Sequence, residues 1–293
     1  MGLGTWRSSP GEVYQAVRWA FKIGYKHIDC ASIYGNEAEI GQAIADAIKE
    51  GDVRREEIFV TSKLWNDSHA PEDVLPALRK TLKDLQLDYL DLYLVHWPVA
   101  QKKGSTFPEK KEDLIPLEQM PIDLTWAEME KAYNQGLVKA LGVSNFSTKK
   151  LQDLIDAAEI APMVNQVEVN PLLQQNDLIS FCQKNMVAVT AYSPLGSNGA
   201  TMTENPVVKE IAERIKATPA QVILAWLMQR GVIVIPKSVH TDRIKENFAA
   251  QNIELDEADM AAIAKLDQHH RTVTGETFAI QDSGYTLANI WDE

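Results

Sequence analysis

Apolar residues recur along this chain in two alternating rhythms. Over 12–23 they return every three or four positions (Val13, Ala16, Val17, Ala20), which places them on one face of a helix. Over 27–29, 58–63 and 90–96 they form short runs rich in Ile, Val, Leu, Phe and Tyr that suit buried strands. The alternation continues to the last third of the chain. Strands are expected at 2–5, 27–29, 58–63, 90–96, 140–144, 164–168, 187–192 and 232–236. Helices are expected at 12–23, 38–48, 71–85, 125–135, 148–158, 177–185, 219–229 and 242–248, with extra ones at 206–215 and 256–266. Pro71 opens one helix in its first turn, and Gly136 suits the left-handed residue that closes another.

Alternation of this kind means parallel strands joined by crossover helices. Eight strand–helix units in 293 residues predict an α/β fold, a closed (β/α)8 TIM barrel. Such barrels typically need about 250 residues, and the surplus is expected as extra helices and long loops at the C-terminal face. No linker, low-complexity tract or composition shift divides 1–293, so one domain is the economical reading. An open doubly wound sheet is the alternative. That fold carries a dinucleotide on G-x-G-x-x-G in its first strand-to-helix turn, whereas the first turn here, GLGTWRSSPGE, has two glycines and then breaks the pattern. A nucleotide would need a different phosphate cradle.

Composition narrows the picture. Hydrophobic residues make up 45% and charged residues 24%, the balance of an ordinary globular protein. No apolar stretch approaches the roughly 20 residues of a membrane span. A net charge of −12 repels phosphate backbones and anionic lipid, so no nucleic-acid or membrane partner is expected. The opening MGLGTW has neither a secretory signal pattern nor, with Trp6 in place of Ser or Thr, a myristoylation motif. Two distant cysteines, Cys30 and Cys182, fit reduced thiols and a cytoplasmic location.

The chemistry is suggested by how successive strands end. Otherwise apolar runs finish on Asp29, Lys63 and His96, with Tyr34 in the loop just beyond Asp29. In a barrel the C-terminal strand ends converge on one site, so units two, three and four place these groups side by side. A tyrosine with a pKa of about 10 is a weak acid near neutrality. A neighbouring lysine ammonium favours its phenolate and is expected to pull that pKa down, while Asp29 supplies the lysine's counter-ion. His96 then donates a hydrogen bond to a carbonyl oxygen held against Tyr34. This site protonates an oxygen while something else attacks the carbon. There is no nucleophile elbow, no H-E-x-x-H and no zinc-spaced Cys/His cluster, so no metal is expected, and His269 and His270 read as a solvated loop.

The attacking species must therefore come from a cofactor. In IPKSVHTDRIKEN, Lys237 and Ser238 follow the eighth strand, and Arg243 and Asn247 are expected at the start of the next helix. Cations at a helix N-terminus after a barrel's last strand suit phosphate, and two of them favour the extra phosphate of NADPH.

These residues resemble the aldo-keto reductases, NADPH-dependent barrel enzymes that reduce aldehydes and ketones to alcohols. The likeness spans nearly the whole chain through GLGTW, GYKHIDCASIYGNE, TSKLWN, DYLDLYLVHWP, LGVSNF, AYSPLGS and IPKSV. It implies Tyr34 as proton donor, tuned by Lys63 and Asp29, with His96 orienting the carbonyl. It implies that Ser144, Asn145 and Gln166 hold the nicotinamide carboxamide and that Tyr192 stacks on its ring. Thr5, Trp6, Ser193, Leu195 and Ser197 would complete the nicotinamide and pyrophosphate end, and Lys237, Ser238, Val239, Arg243 and Asn247 the adenosine 2′-phosphate end. Trp6, Trp65 and Trp97, with His96, would wall the pocket of a small carbonyl substrate. The resemblance also implies NADPH/NADP+ as cofactor and a monomer.

Three departures stand out. The sequence starts inside the first strand, where relatives usually carry a plugging hairpin, which suggests a truncated form or an unusual start. The segment after AYSPLGS is short, which implies faster cofactor exchange, and His240 stands where a threonine is common. The loop over 102–120 and the tail HHRTVTGETFAIQDSGYTLANIWDE are expected to set specificity, with Trp291 or Tyr285 folding over the site or packing on the surface. The same site could serve a polyol dehydrogenase running oxidatively, or a cofactor-binding regulatory subunit with little turnover.

Overall fold

A computed structural model describes residues 1–196 and 200–293, the side chains of residues 200 and 201 excepted. Eight parallel strands form one sheet: β1 (Leu3–Gly4), β2 (His27–Asp29), β3 (Phe59–Leu64), β4 (Leu92–Val95), β7 (Leu141–Ser144), β8 (Val164–Glu168), β9 (Ala188–Tyr192) and β10 (Ile233–Val234). Two-residue strands β5 (Ala100–Gln101) and β6 (Leu114–Ile115) make a separate antiparallel hairpin. Neighbours in the large sheet follow chain order. It closes on itself where Gly4 bridges Lys237, with Gly2 N donating to Val234 O at 2.8 Å and Gly4 N to Pro236 O at 3.1 Å. The expected TIM barrel is the observed fold.

Closure explains why the last strand is shorter than the apolar run 232–236. Pro236 has no N–H to give to the ladder, and its carbonyl turns to Gly4 across the seam. Gly4 is needed there, because a Cβ on it would lie 2.7 Å from the carbonyl oxygen of Ile235.

The helices that return the chain are α1 (Glu12–Ile23), α2 (Glu37–Glu50), α3 (Pro71–Leu85), α4 (Ile122–Asn134), α5 (Thr148–Ala157) and α6 (Asn176–Lys184). They continue with α7 (Ala200–Thr203), α8 (Pro206–Ile215), α9 (Pro219–Gln229), α10 (Thr241–Ala249), α11 (Glu257–Ala264) and α12 (Leu287–Trp291). In α1 the positions picked out by spacing, Val13, Ala16, Val17 and Ala20, are all buried. Pro71 opens α3, and Gly136 follows α4 in the left-handed region at φ 72°. Thr218 and Gln221 close a reciprocal capping box at the start of α9, whose run Val222 to Leu227 is buried all round.

The hairpin β5–β6 and the tail helix α12 depart from the expected pattern. Neither is long enough to show a periodicity, and both are held by tertiary contacts. The Tyr285 hydroxyl accepts from Ala100 N at 2.9 Å and donates to Ile115 O at 2.8 Å, tying the tail to the hairpin. Tyr285 and Trp291 are buried with Trp65, Trp97, Val99, Leu114, Phe278 and Ile290 in an apolar cluster of their own. Cys30 and Cys182 are free thiols in the interior. Among the described residues no helix is long and apolar enough to cross a membrane.

Helices α2 and α3 pack closely at Gly41, where an added Cβ would lie 2.3 Å from the Asp84 carbonyl oxygen and 2.6 Å from the Leu85 carbonyl carbon. Backbone atoms cannot swing aside as a side-chain tip can. Replacing a helical Gly by Ala ordinarily gains about 1 kcal/mol, while overpacking costs about 1–3 kcal/mol, so the clash outweighs the gain. Gly41→Ala is expected to lower the urea midpoint of unfolding, and a raised midpoint would contradict this close packing.

Candidate active site

Four side chains meet at the C-terminal mouth of the barrel. Asp29 is the last residue of β2, Lys63 lies one residue before the end of β3, and His96 follows β4 directly. Tyr34 ends a 3-10 turn over Ser32–Tyr34, which Gly35 closes in the left-handed region at φ 69°. Lys63 Nζ donates to Asp29 Oδ2 at 2.6 Å, to the Cys30 carbonyl at 2.7 Å and to the Tyr34 hydroxyl at 3.4 Å. The His96 and Tyr34 rings meet edge-on, with centroids 5.9 Å apart. Thr5 Oγ1 steadies this arrangement by donating to the Asp29 carbonyl at 2.7 Å.

Burial acts on three ionisable groups here and decides the direction for two of them. It works against the Lys63 charge, but Asp29 and Tyr34 outweigh it and lift the lysine to about 12. Lys63 is thus a fixed cation. His96 is driven well below its usual range by burial and by the Lys63 charge, and stays neutral. For Tyr34 the expectation of a lowered pKa is corrected. Burial raises it, and the opposing pull of Lys63 is not enough to reverse the direction. Tyr34 therefore holds its proton at neutral pH, and Lys63 limits how weak an acid it becomes.

Asp29, Tyr34 and His96 open on a cavity of about 810 Å³ that runs from Trp97 and Phe107 past Tyr34 to 193–196 and Lys237, with Lys63 behind them. Thr5, Trp6, Asn145, Gln166, Tyr192, Ser193 and Leu195 line it. Gln166 Nε2 donates to Asp29 Oδ1 at 2.7 Å, and Asn145 Oδ1 accepts from the Tyr192 hydroxyl at 2.7 Å. Asn145 and Ser193 hold left-handed backbone at φ 63° and 45°, an unfavourable conformation for non-glycine residues that clusters at functional sites. Ser144 stands behind this layer, its hydroxyl donating to the Gln166 carbonyl at 2.7 Å. Ser197 lies outside the described residues.

The far end differs in detail from expectation. Lys237 lines the cavity, and its ammonium donates to the Arg7 carbonyl at 3.0 Å. Ser238, Val239, Arg243 and Asn247 lie beyond the cavity wall. The Ser238 hydroxyl accepts from His240 N at 3.1 Å just ahead of α10, and Arg243 is exposed in the first turn of that helix. Asn247 is not at the helix start but in the second half of α10 and buried, as the expected span 242–248 itself required. Cys30 does not reach the cavity.

Trp65 and Trp97 are each 7% exposed against 43% for Trp6, so the first two form the inner wall and Trp6 the rim. Several wall residues were not singled out in the sequence, though Phe107 and 273–278 fall in the loop and tail expected to shape the site. Arg7 places its guanidinium 4.2 Å from the Trp6 ring centroid, and Phe107, Phe278 and the stretch 273–277 complete the pocket. Irregular loop residues carry no periodic signal. Glu168, buried and outside the cavity lining, did carry one, since the run VNQVE ends on a carboxylate as the second strand ends on Asp29.

Comparison with known proteins identifies the family and the fold. A model described as the aldo/keto reductase family matches residues 1–268. An aldo/keto reductase of Synechocystis is 49% identical, covering 100% of this chain and 93% of its own length. Human aldo-keto reductase family 1 member A1 is 46% identical over 98% of this chain and 93% of that protein. Among solved structures, the aldose reductase of Schistosoma japonicum superposes with a TM-score of 0.91 at 42% identity, covering 97% of this chain and 94% of that one. A Bombyx mori aldo-keto reductase in complex with NADP gives a TM-score of 0.84 at 39% identity, with 93% and 90% coverage.

Two buried histidines at this end of the barrel have a measurable cost. Burial alone lowers His69 to about 3, and His96 is lowered too, so both stay neutral in the fold while the unfolded chain protonates below about 6.5. Stability is therefore expected to fall as pH drops from about 6.5, each histidine contributing a slope approaching ~1.4 kcal/mol per pH unit, until its folded pKa is passed. His69→Gln should flatten the curve of unfolding free energy between pH 6.5 and 5, and an equally steep curve would contradict the assignment.

Proposed function

Because the chain belongs to the aldo/keto reductase family, we propose that it reduces aldehydes, and some ketones, to alcohols with NADPH, Tyr34 acting as the general acid. The observation that carries this reading is the Tyr34 hydroxyl beside a fully buried Lys63–Asp29 pair, facing a cavity that also holds two amide side chains and a tyrosine ring. The residues fit a nicotinamide dinucleotide. Asn145 and Gln166 present amides matched to a carboxamide, Tyr192 offers a ring face, and 193–196 with Lys237 line the route outward. The NADP-bound state of the Bombyx mori relative supports the same cofactor here. Arg243, exposed in the first turn of α10, suits a terminal phosphate.

When bound, the reduced nicotinamide supplies a hydride to the carbonyl carbon. The chain's own residues handle the oxygen. Neutral His96 has one N–H to give, and donating it to the carbonyl oxygen holds that oxygen against Tyr34. Tyr34, kept protonated by burial, passes its proton to the oxygen as negative charge develops there. The phenolate left behind lies 3.4 Å from Lys63 Nζ, which stabilises it more strongly in this dry site than water would. Asp29 fixes Lys63 in place and accepts from Gln166, so one carboxylate ties the acid to the cofactor-side amide. The walls of Trp65, Trp97, Phe107 and Phe278 suit small aldehydes with an apolar or aromatic body. Run backwards, the same groups oxidise an alcohol.

Tyr34→Phe keeps the ring and removes the transferable proton. It is expected to lower kcat for reduction of an aromatic aldehyde by about 10²–10⁴-fold while NADPH binding, followed by fluorescence, persists. Undiminished turnover by this variant would sink the mechanism, and NADPH binding without turnover by the wild type would favour a regulatory role.

A further inference from the structure

Glu168 ends β8 two residues beyond Gln166, so both side chains leave the strand on the same face. Gln166 serves the cofactor end of the cavity, whereas Glu168 reaches the opposite way in sequence, to the C-terminal tail. Its fully buried carboxylate accepts from Thr272 N at 3.0 and 3.2 Å, from Val273 N at 2.8 Å, from the Thr272 hydroxyl, and from Asn170 Nδ2 at 3.2 Å. A carboxylate buried without such donors would be strongly destabilised, so the tail and the carboxylate hold each other.

The residues that follow this contact are substrate wall. Val273 to Phe278 line the cavity, and Phe278 packs on Trp97 with ring centroids 5.1 Å apart. Between Thr272 and α12 the tail has one 3-10 turn, over Glu276–Phe278, and so depends on side-chain anchors for its position. Trp291 Nε1 donating to the Thr274 carbonyl at 2.7 Å is the second anchor, on the far side of the same wall.

We propose that Glu168 is a positioning residue for specificity: by clamping Thr272 and Val273 to the barrel it sets the wall 273–278 and so determines which aldehydes bind well. This rests on the aldehyde-reducing role of the adjoining site. The clamp touches neither Tyr34 nor Lys63, so it acts on substrate fit rather than on proton transfer.

Glu168→Gln tests it, since the nearly isosteric amide turns an NH2 group toward N–H donors. Hydrogen exchange of segment 272–278 and steady-state kinetics with benzaldehyde and propanal would be measured on the full chain. Loss of hydrogen bonds to a charged acceptor should speed exchange in this segment and raise KM for benzaldehyde by about tenfold or more. The kcat, the NADPH dissociation constant and the KM for propanal, too small to reach the wall, should stay within about twofold. Thr272→Val, outside the barrel, should shift the same quantities in the same direction by less, and serves if the first variant fails to fold. Unchanged exchange over 272–278, or an equal loss of kcat for both aldehydes with KM unmoved, would overturn the proposal. Faster exchange in a protein whose wild type reduces neither aldehyde would remove the aldehyde reading, and the specificity role with it, while leaving the clamp in place.

Discussion

The site depends on one interaction, the ion pair between Lys63 and Asp29, whose side chains are 0% and 3% exposed at a separation of 2.6 Å. Neither charge would be tolerable alone at this depth, and removing one partner of such a pair typically costs about 3–5 kcal/mol. The pair persists because its remaining valences are met. Lys63 also reaches the Cys30 carbonyl and the Tyr34 hydroxyl, and Asp29 also accepts from Gln166. Three strands are thereby cross-linked through their side chains at the mouth of the barrel. Closure through Gly4 and Lys237 keeps those strand ends in a ring, so the constraint is topological as well as electrostatic.

Strand ends and loops both build the cavity. Asp29, Lys63 and His96 sit at strand ends, where parallel neighbours fix their spacing, and Tyr34 sits on the 3-10 turn that follows β2. The cavity wall is shared between Trp65 and Trp97, just beyond β3 and β4, and Phe107 and 273–278 in the loop at 102–120 and the tail. Glu168 joins the two, because it belongs to a strand and grips the tail. Tyr285 does the same from the other side, bonding to both strands of the β5–β6 hairpin.

Much of this was legible in the sequence, for physical reasons. Helical spacing in 12–23 and apolar runs such as 164–168 were strong enough to give elements at the same bounds, and eight repeats of the alternation left few folds to choose from. Asp29, Lys63 and His96 stood out because an ionisable strand end has no packing purpose. The acidity of Tyr34 was misjudged in sign because the lysine is visible in the sequence and the depth of burial is not. Asn247 was assigned to a helix start although the expected span 242–248 already put it near the helix end, where the structure has it. The hairpin and the tail helix left no local pattern because tertiary contacts hold them, and the wall at 273–278 was expected only as an unspecified part of the tail.

The central claim is that the Lys63 charge holds down the pKa of a tyrosine that burial would otherwise push higher. The most direct measurement is the titration of Tyr34 by 13C NMR with labelled tyrosine, in the wild type and in Lys63→Met/Asp29→Asn, which removes the pair together and leaves no unpaired buried charge. Loss of the lysine should move the Tyr34 titration to higher pH. A titration that stays in place or moves to lower pH would contradict the account.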